Sequence, residues 1–224
     1  MISRLPRWVW TGAWALAFIA GMINVVGLLG FDHQAISHLT GTTSLLGVAL
    51  GRLDTAATFH FLAVLGSFVA GTAISGYIIG DSALQLGRRY GIALGLESVL
   101  LACAVPLLNR HNQVGDYFAS CACGLQNAMA STFSGSVVRT THITGMFTDL
   151  GIFLGHSLRG HAVDTLRLRL CVIIISGFLA GGTAGAVVFP ALGYGTLFIP
   201  AALTGLAAAG YTLSQMRPKR TLAA

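Results

Sequence analysis

The chain has 224 residues, 54% of them hydrophobic and only 9% charged, with a mean hydropathy of +0.77. A soluble domain carries about 25% charged residues, so this composition excludes a water-facing globule and makes lipid the natural solvent. The net charge of +6 does not mark a nucleic-acid binder, because the arginines sit in short loops and at the termini, where they orient spans.

Taken in order, the first apolar run covers residues 8–30 behind Arg4 and Arg7. It is too long for a cleaved signal and reads as a retained span. A helix over 36–53 follows, polar at its start and apolar later. Long apolar spans are expected at 57–79 and at 91–108, the latter with Glu97 inside it. The second half repeats this plan. A span over 116–137 carries Gln126 and Asn127, and a Gly-rich helix covers 142–154. The longest polar loop runs from 156 to 169. A span over 170–189 is expected to break at Pro190, and the last span covers 195–214.

Two stretches are nearly one motif written twice. Gly21-Met22-Ile23-Asn24 precedes His38-Leu39-Thr40-Gly41, and Gly124-Leu125-Gln126-Asn127 precedes His142-Ile143-Thr144-Gly145. The offset is 103 at the first glycine and 104 at the histidine. It is 110 between Phe68-Val69-Ala70-Gly71 and Phe178-Leu179-Ala180-Gly181, so it grows only across loops. At that last offset Ser67, Gly71 and Ser75 lie over Gly177, Gly181 and Gly185. Both triplets are small-xxx-small faces, suited to close helix contact and offering a route to a homo-oligomer. The expected fold is an all-α polytopic membrane bundle of two related halves, residues 1–109 and 110–224, within one membrane domain.

If the two Gly-rich helices span, there are eight crossings and parallel halves, with ten of the thirteen Lys and Arg residues inside. If they dip and return, there are six crossings and inverted halves, with eleven inside. Either count puts both termini in the cytoplasm, as expected for a bacterial inner-membrane protein. The basic loops after both Gly-rich helices tip the reading to eight.

Chemistry is expected in and beside the repeated motif. Thr40 and Ser44 match Thr144 and Thr148, each pair four residues apart on one helix face. The amides of Thr40, Gly41, Thr144 and Gly145 belong to first turns, where unpaired N–H groups attract anions or carbonyl oxygens. His38 and His142 stand at those starts, either capping them or facing a ligand. Two such ends, one from each half, would form a central polar site. The alternative is that the hydroxyls bond their own i−4 carbonyls. Asn24 and Asn127 need partners at membrane depth, either another helix or a solute. Glu97 and Asp149 are the acids expected to be buried, with a coupling role. Arg139 either pairs with Asp149, faces a ligand or is a loop charge. Cys121 and Cys123 read as apolar core residues, and no metal or cofactor motif occurs.

The paired G-x-x-N and H-[Leu/Ile]-T-G pattern, with Ala128 after Asn127 and Thr141 before His142, resembles the YoaK-like family of small bacterial membrane proteins, catalogued as a domain of unknown function. The likeness runs from the first span to the last. The family commonly has T-G-N where this chain has Thr40-Gly41-Thr42 and Thr144-Gly145-Met146. The resemblance implies a multi-span inner-membrane protein and supplies no substrate. The functional expectation is therefore physical: a small-solute transporter or channel in the lipid bilayer. The alternatives are a structural or accessory subunit or, with less support, an intramembrane enzyme.

Overall fold

A computed structural model describes residues 7–31, 33–80, 88–133 and 140–216. The described elements are all helical: α1 Arg7–Leu29, α2 Leu39–Gly51, α3 Thr55–Ile79, α4 Arg88–Leu108, α5 Val114–Phe133, α6 Ile143–Leu158, α7 Thr165–Leu192 and α8 Phe198–Met216. A short 3-10 turn, Gly193–Leu197, lies before α8. Among the described residues four stretches are long and apolar enough to cross a membrane: Trp8–Leu29, Thr55–Ile79, Arg89–Leu108 and Thr165–Leu213. The last of these holds both α7 and α8. α5 is less apolar because it carries Asp116, Gln126 and Asn127. It tolerates them because α3, α4 and α1 pack around it, and Asp116, Ser120, Cys123 and Gln126 are all buried.

Helix directions follow from contacts. α7 runs parallel to α1, since Gly177, Gly181 and Gly185 meet Trp14, Phe18 and Met22 in turn. α5 runs parallel to α3, with Tyr117 near His60, Ser120 on Val64 and Gly124 on Phe68. α8 is antiparallel to α4, because Gly91 lies by Ala208 and Tyr211 while Ser98 bonds Ala201. Phe31 after α1, His111 after α4 and Tyr194 after α7 gather at one end of the bundle, with ring centroids 5.2 Å and 6.1 Å from Phe31. Trp8, Tyr90 and Tyr211 meet at the other end.

These directions decide the number of crossings. The link after α1 reaches the beginning of α3 through Gln34 and His60, 2.8 Å apart. α3 therefore starts at the end where α1 finishes, and α2 does not carry the chain across. α6 likewise begins after α5 and returns to α7 at the Trp8 end, where Met146 packs with Ala13 and Leu170. The 13 residues of α2 span about 20 Å and the 16 of α6 about 24 Å, both short of a hydrocarbon core of roughly 30 Å. The leaning toward eight spans is thus corrected. Six helices run the depth of the bundle, and the two Gly-rich helices lie on its outside with most residues exposed.

Two boundaries also differ from expectation. α7 starts at Thr165 because the Asp164 carboxylate accepts hydrogen bonds from the Leu166 and Arg167 amides at 3.0 and 3.2 Å, a strong N-cap. Pro190 does not end it: the helix runs through to Leu192 and stops at Gly193, whose φ of 55° suits glycine. The small-xxx-small faces are used inside the chain. A Cβ at Gly71 would overlap the Cys121 carbonyl, and one at Gly181 the Phe18 carbonyl. Ser75, Gly177 and Gly185 are buried as well.

Candidate functional site

The repeated motif resolves into a structural device. Gly21 lies against the Phe178 carbonyl of α7, and Gly124 against the Phe68 carbonyl of α3, so the glycine of each G-x-x-N permits a close helix crossing. One turn on, Asn24 Oδ1 accepts from the Ser37 amide at 3.2 Å and its hydroxyl at 2.9 Å. Asn127 Oδ1 accepts from the Thr141 hydroxyl at 3.2 Å. Each asparagine thus holds the segment that leads into the next Gly-rich helix. His38 and His142 occupy the N-cap positions without a side-chain cap bond. Each ring lies over the glycine three residues on, Gly41 or Gly145.

The two Gly-rich helix starts do not meet. α2 begins beside Asn24, near the Phe31 end, and α6 begins near the Trp8 end, with His38 and His142 both exposed. The expectation that they converge on one central site is corrected: α1 and α5 run in opposite directions, so the motifs they carry lie at opposite ends. Thr40 and Thr144 are exposed, and their carbonyls accept from Ser44 and Thr148, both at 3.0 Å. Those hydroxyls bond their own helices. Asp149 is one-third exposed and lies 3.9 Å from Arg167, so it is not a buried acid. Arg139 lies outside the described residues.

Glu97 and Gln126 are different. Both are fully buried, and neither carboxylate oxygen of Glu97 nor either amide atom of Gln126 has a hydrogen-bond partner. The α4–α5 hairpin sets Leu108 against Gly115. The same antiparallel register puts Glu97 level with Gln126. Four unsatisfied polar atoms at one level in the bundle interior represent several kcal/mol of unrealised hydrogen bonding.

A cavity of about 600 Å³ opens toward the Trp8 end, walled by Trp8, Trp14 and Phe18 of α1, Leu94 of α4, Met129 of α5 and Tyr211 of α8. It exists because α1 packs on α7 and α8 packs on α4, leaving α1 and α8 barely in contact. Leu94 lies one turn before Glu97 and Met129 one turn after Gln126, so the polar pair sits about 5 Å behind the inner wall.

Sequence alone does not single out a second buried polar cluster at the Phe31 end. His60, 6% exposed, lies 2.8 Å through Nε2 from the Gln34 amide nitrogen and 3.2 Å through Nδ1 from the Tyr117 hydroxyl. With Gln34 donating, Nε2 accepts and Nδ1–H donates to Tyr117. The available signal was an ionisable residue inside an apolar run, Phe59-His60-Phe61. Among the described residues no group of three His, Cys, Asp or Glu is placed to hold a metal.

The fold and its apolar helices define a helical membrane protein with a polar interior. The family described as "Protein of unknown function (DUF1275)" matches residues 12–210, and the chain belongs to that family. It is 24% identical over 204 residues to the UPF0700 transmembrane protein YoaK of Bacillus subtilis (strain 168), covering 84% of this chain and 87% of that one. It is 32% identical over 188 residues to the UPF0700 transmembrane protein RA0705 of Rhizobium meliloti (strain 1021), covering 83% and 78%. No solved structure matches the chain significantly.

Proposed function

We propose that the protein is a small-solute transporter of the bacterial inner membrane. In this reading two duplicated halves of inverted orientation enclose a path in which Glu97 binds or couples. The observation that carries it is the Glu97–Gln126 pair, buried and unpartnered one turn behind the wall of an aromatic cavity. Asn24 Oδ1 and Asn127 Oδ1 find partners in the adjoining link segments, at Ser37 and Thr141; an unpartnered carboxyl at membrane depth marks a path. The cavity favours a solute with an apolar body and a cationic head. Tryptophan and tyrosine faces attract quaternary ammonium groups, and the Glu97 carboxylate would balance the charge. With six crossings the positive-inside count supports cytoplasmic termini.

The test uses three aryl probes that share a ring and differ in charge: benzyltrimethylammonium, benzyl alcohol and benzoate. Proteoliposomes should take up the cation above protein-free controls, and only the cation should raise the unfolding temperature. If none of the three is transported or bound, the transporter reading fails. An accessory-subunit reading then gains ground, since the bundle would carry its polar pair for a partner rather than a solute.

A further inference from the structure

We propose that the buried polar face of α5 is a proton path joining His60, at the Phe31 end, to Glu97. The proposal rests on the reading of Glu97 as the coupling group and names its ion. Asp116, Ser120 and Cys123 recur on α5 at intervals of four and three residues, with Gln126 three further on. All four are buried, the last three fully. Each step is about one helical turn, roughly 5 Å, a gap that one buried water bridges.

The equivalent positions of the first half show that the packing does not require these groups. At the offset of 103 that aligns the two G-x-x-N motifs, Asp116, Ser120, Cys123 and Gln126 fall on Ala13, Ala17, Ala20 and Ile23 of α1. At the offset of 110 His60 falls on Leu170. Ala13, Ala17 and Leu170 are buried together in one apolar cluster, and Ala20 and Ile23 are fully buried. One end is closed with hydrocarbon, whereas the other is built from groups that donate and accept protons.

The chemistry is proton transfer alone. His60, the more exposed end of the path, takes a proton from the solvent side at Nε2 as the Gln34 amide gives way, and releases its Nδ1 proton to the Tyr117 oxygen, which gives up its own hydroxyl proton in turn. The Asp116 carboxyl, Ser120 hydroxyl and Cys123 thiol, each receiving one proton and releasing another, pass it on until the Glu97 carboxylate holds it. Facing His60 are Tyr117 of α5, which follows Asp116, and Gln34 of the α1–α2 link. His33 and His111 at the same end are exposed. Glu97 is faced from α5 by Gln126, with Cys123 one turn away. Apart from His60, α3 and α8 carry no charged or histidine side chain.

Infrared spectroscopy of the full chain in lipid tests this without knowledge of the solute. The protonated carboxyl stretch lost in Glu97→Gln is assigned to Glu97, and its rate of exchange in heavy water is followed. His60→Leu and Tyr117→Phe should each slow that exchange about a hundredfold, the size of effect one positioned proton-transfer group gives. Thr183→Val, on the exposed face of α7 and away from α3, α4 and α5, should leave it unchanged. Tyr117→Phe removes a single oxygen, so it reports even where His60→Leu does not fold. Unchanged exchange in Tyr117→Phe, or equal slowing by Thr183→Val, would overturn the path while leaving Glu97 in place. Absence of any Glu97-dependent band would instead remove the coupling reading beneath it.

Discussion

Glu97→Gln should leave the bundle folded and reduce affinity for a cationic probe by a factor of roughly 10 to 150. The change conserves shape and removes only the capacity for charge. A trimethylammonium group has no N–H to donate, so what is lost is charge attraction, about 1.7–2.8 kcal/mol for unit charges roughly 6–10 Å apart at an effective dielectric constant of about 20, which sets that range. The variant should unfold at a temperature no lower than wild type, because the carboxyl has no protein partner to lose. Glu97→Leu should fold as well, since an unpartnered polar group in the interior is replaced by hydrocarbon. Titration of benzyltrimethylammonium into each purified variant, with thermal unfolding alongside, separates the two roles. A Glu97 that mattered only for packing would lose stability on substitution and keep its affinity. One that binds or couples does the reverse.

The second large effect is on the fold. Gly181→Ala should destabilise the protein by about 1–3 kcal/mol, while Gly182→Ala, one residue on, should be neutral or mildly stabilising. At 181 an added Cβ meets the Phe18 carbonyl and its neighbouring backbone atoms, which cannot rotate away. α1 and α7 must then separate, an overpacking cost of that size. At 182 the nearest atom is a Val25 methyl at 3.5 Å, an ordinary contact, and alanine favours the helix by up to about 1 kcal/mol. Unfolding of the two variants in the same detergent, measured side by side, checks this. Equal effects would show that the α1–α7 contact is looser than described.

Much of this fold is legible in the chain because hydrophobic runs, caps and glycine spacing are local signals. The six long helices are found within a few residues of where the apolar runs place them. Glu97 stands out because nothing polar surrounds it in sequence. What local signals cannot supply is direction. Residues 36–53 have the length of a marginal span, and only the contact of Gln34 with His60 shows that the chain turns back. The same reversal separates His38 from His142: because α1 and α5 run in opposite directions, the two matching motifs lie at opposite ends of the bundle, not at a shared centre. Asn24 and Asn127 are conspicuous for a structural reason, since each fastens a link segment that no helix holds. Gln126 is conspicuous only as a neighbour of Asn127, yet it is the residue level with Glu97. Pro190 misleads because a proline within the last turn removes only one hydrogen bond there.

All of this depends on six crossings, with α2 and α6 returning to the sides they left. Single cysteines at Asp54, after α2, and His161, after α6, in a background lacking the four native cysteines, can be labelled in intact cells with a reagent that does not cross the membrane. The two positions should react from opposite sides, with His111→Cys behaving like Asp54→Cys. Labelling of positions 54 and 161 from the same side would mean that the Gly-rich helices cross and would contradict the account.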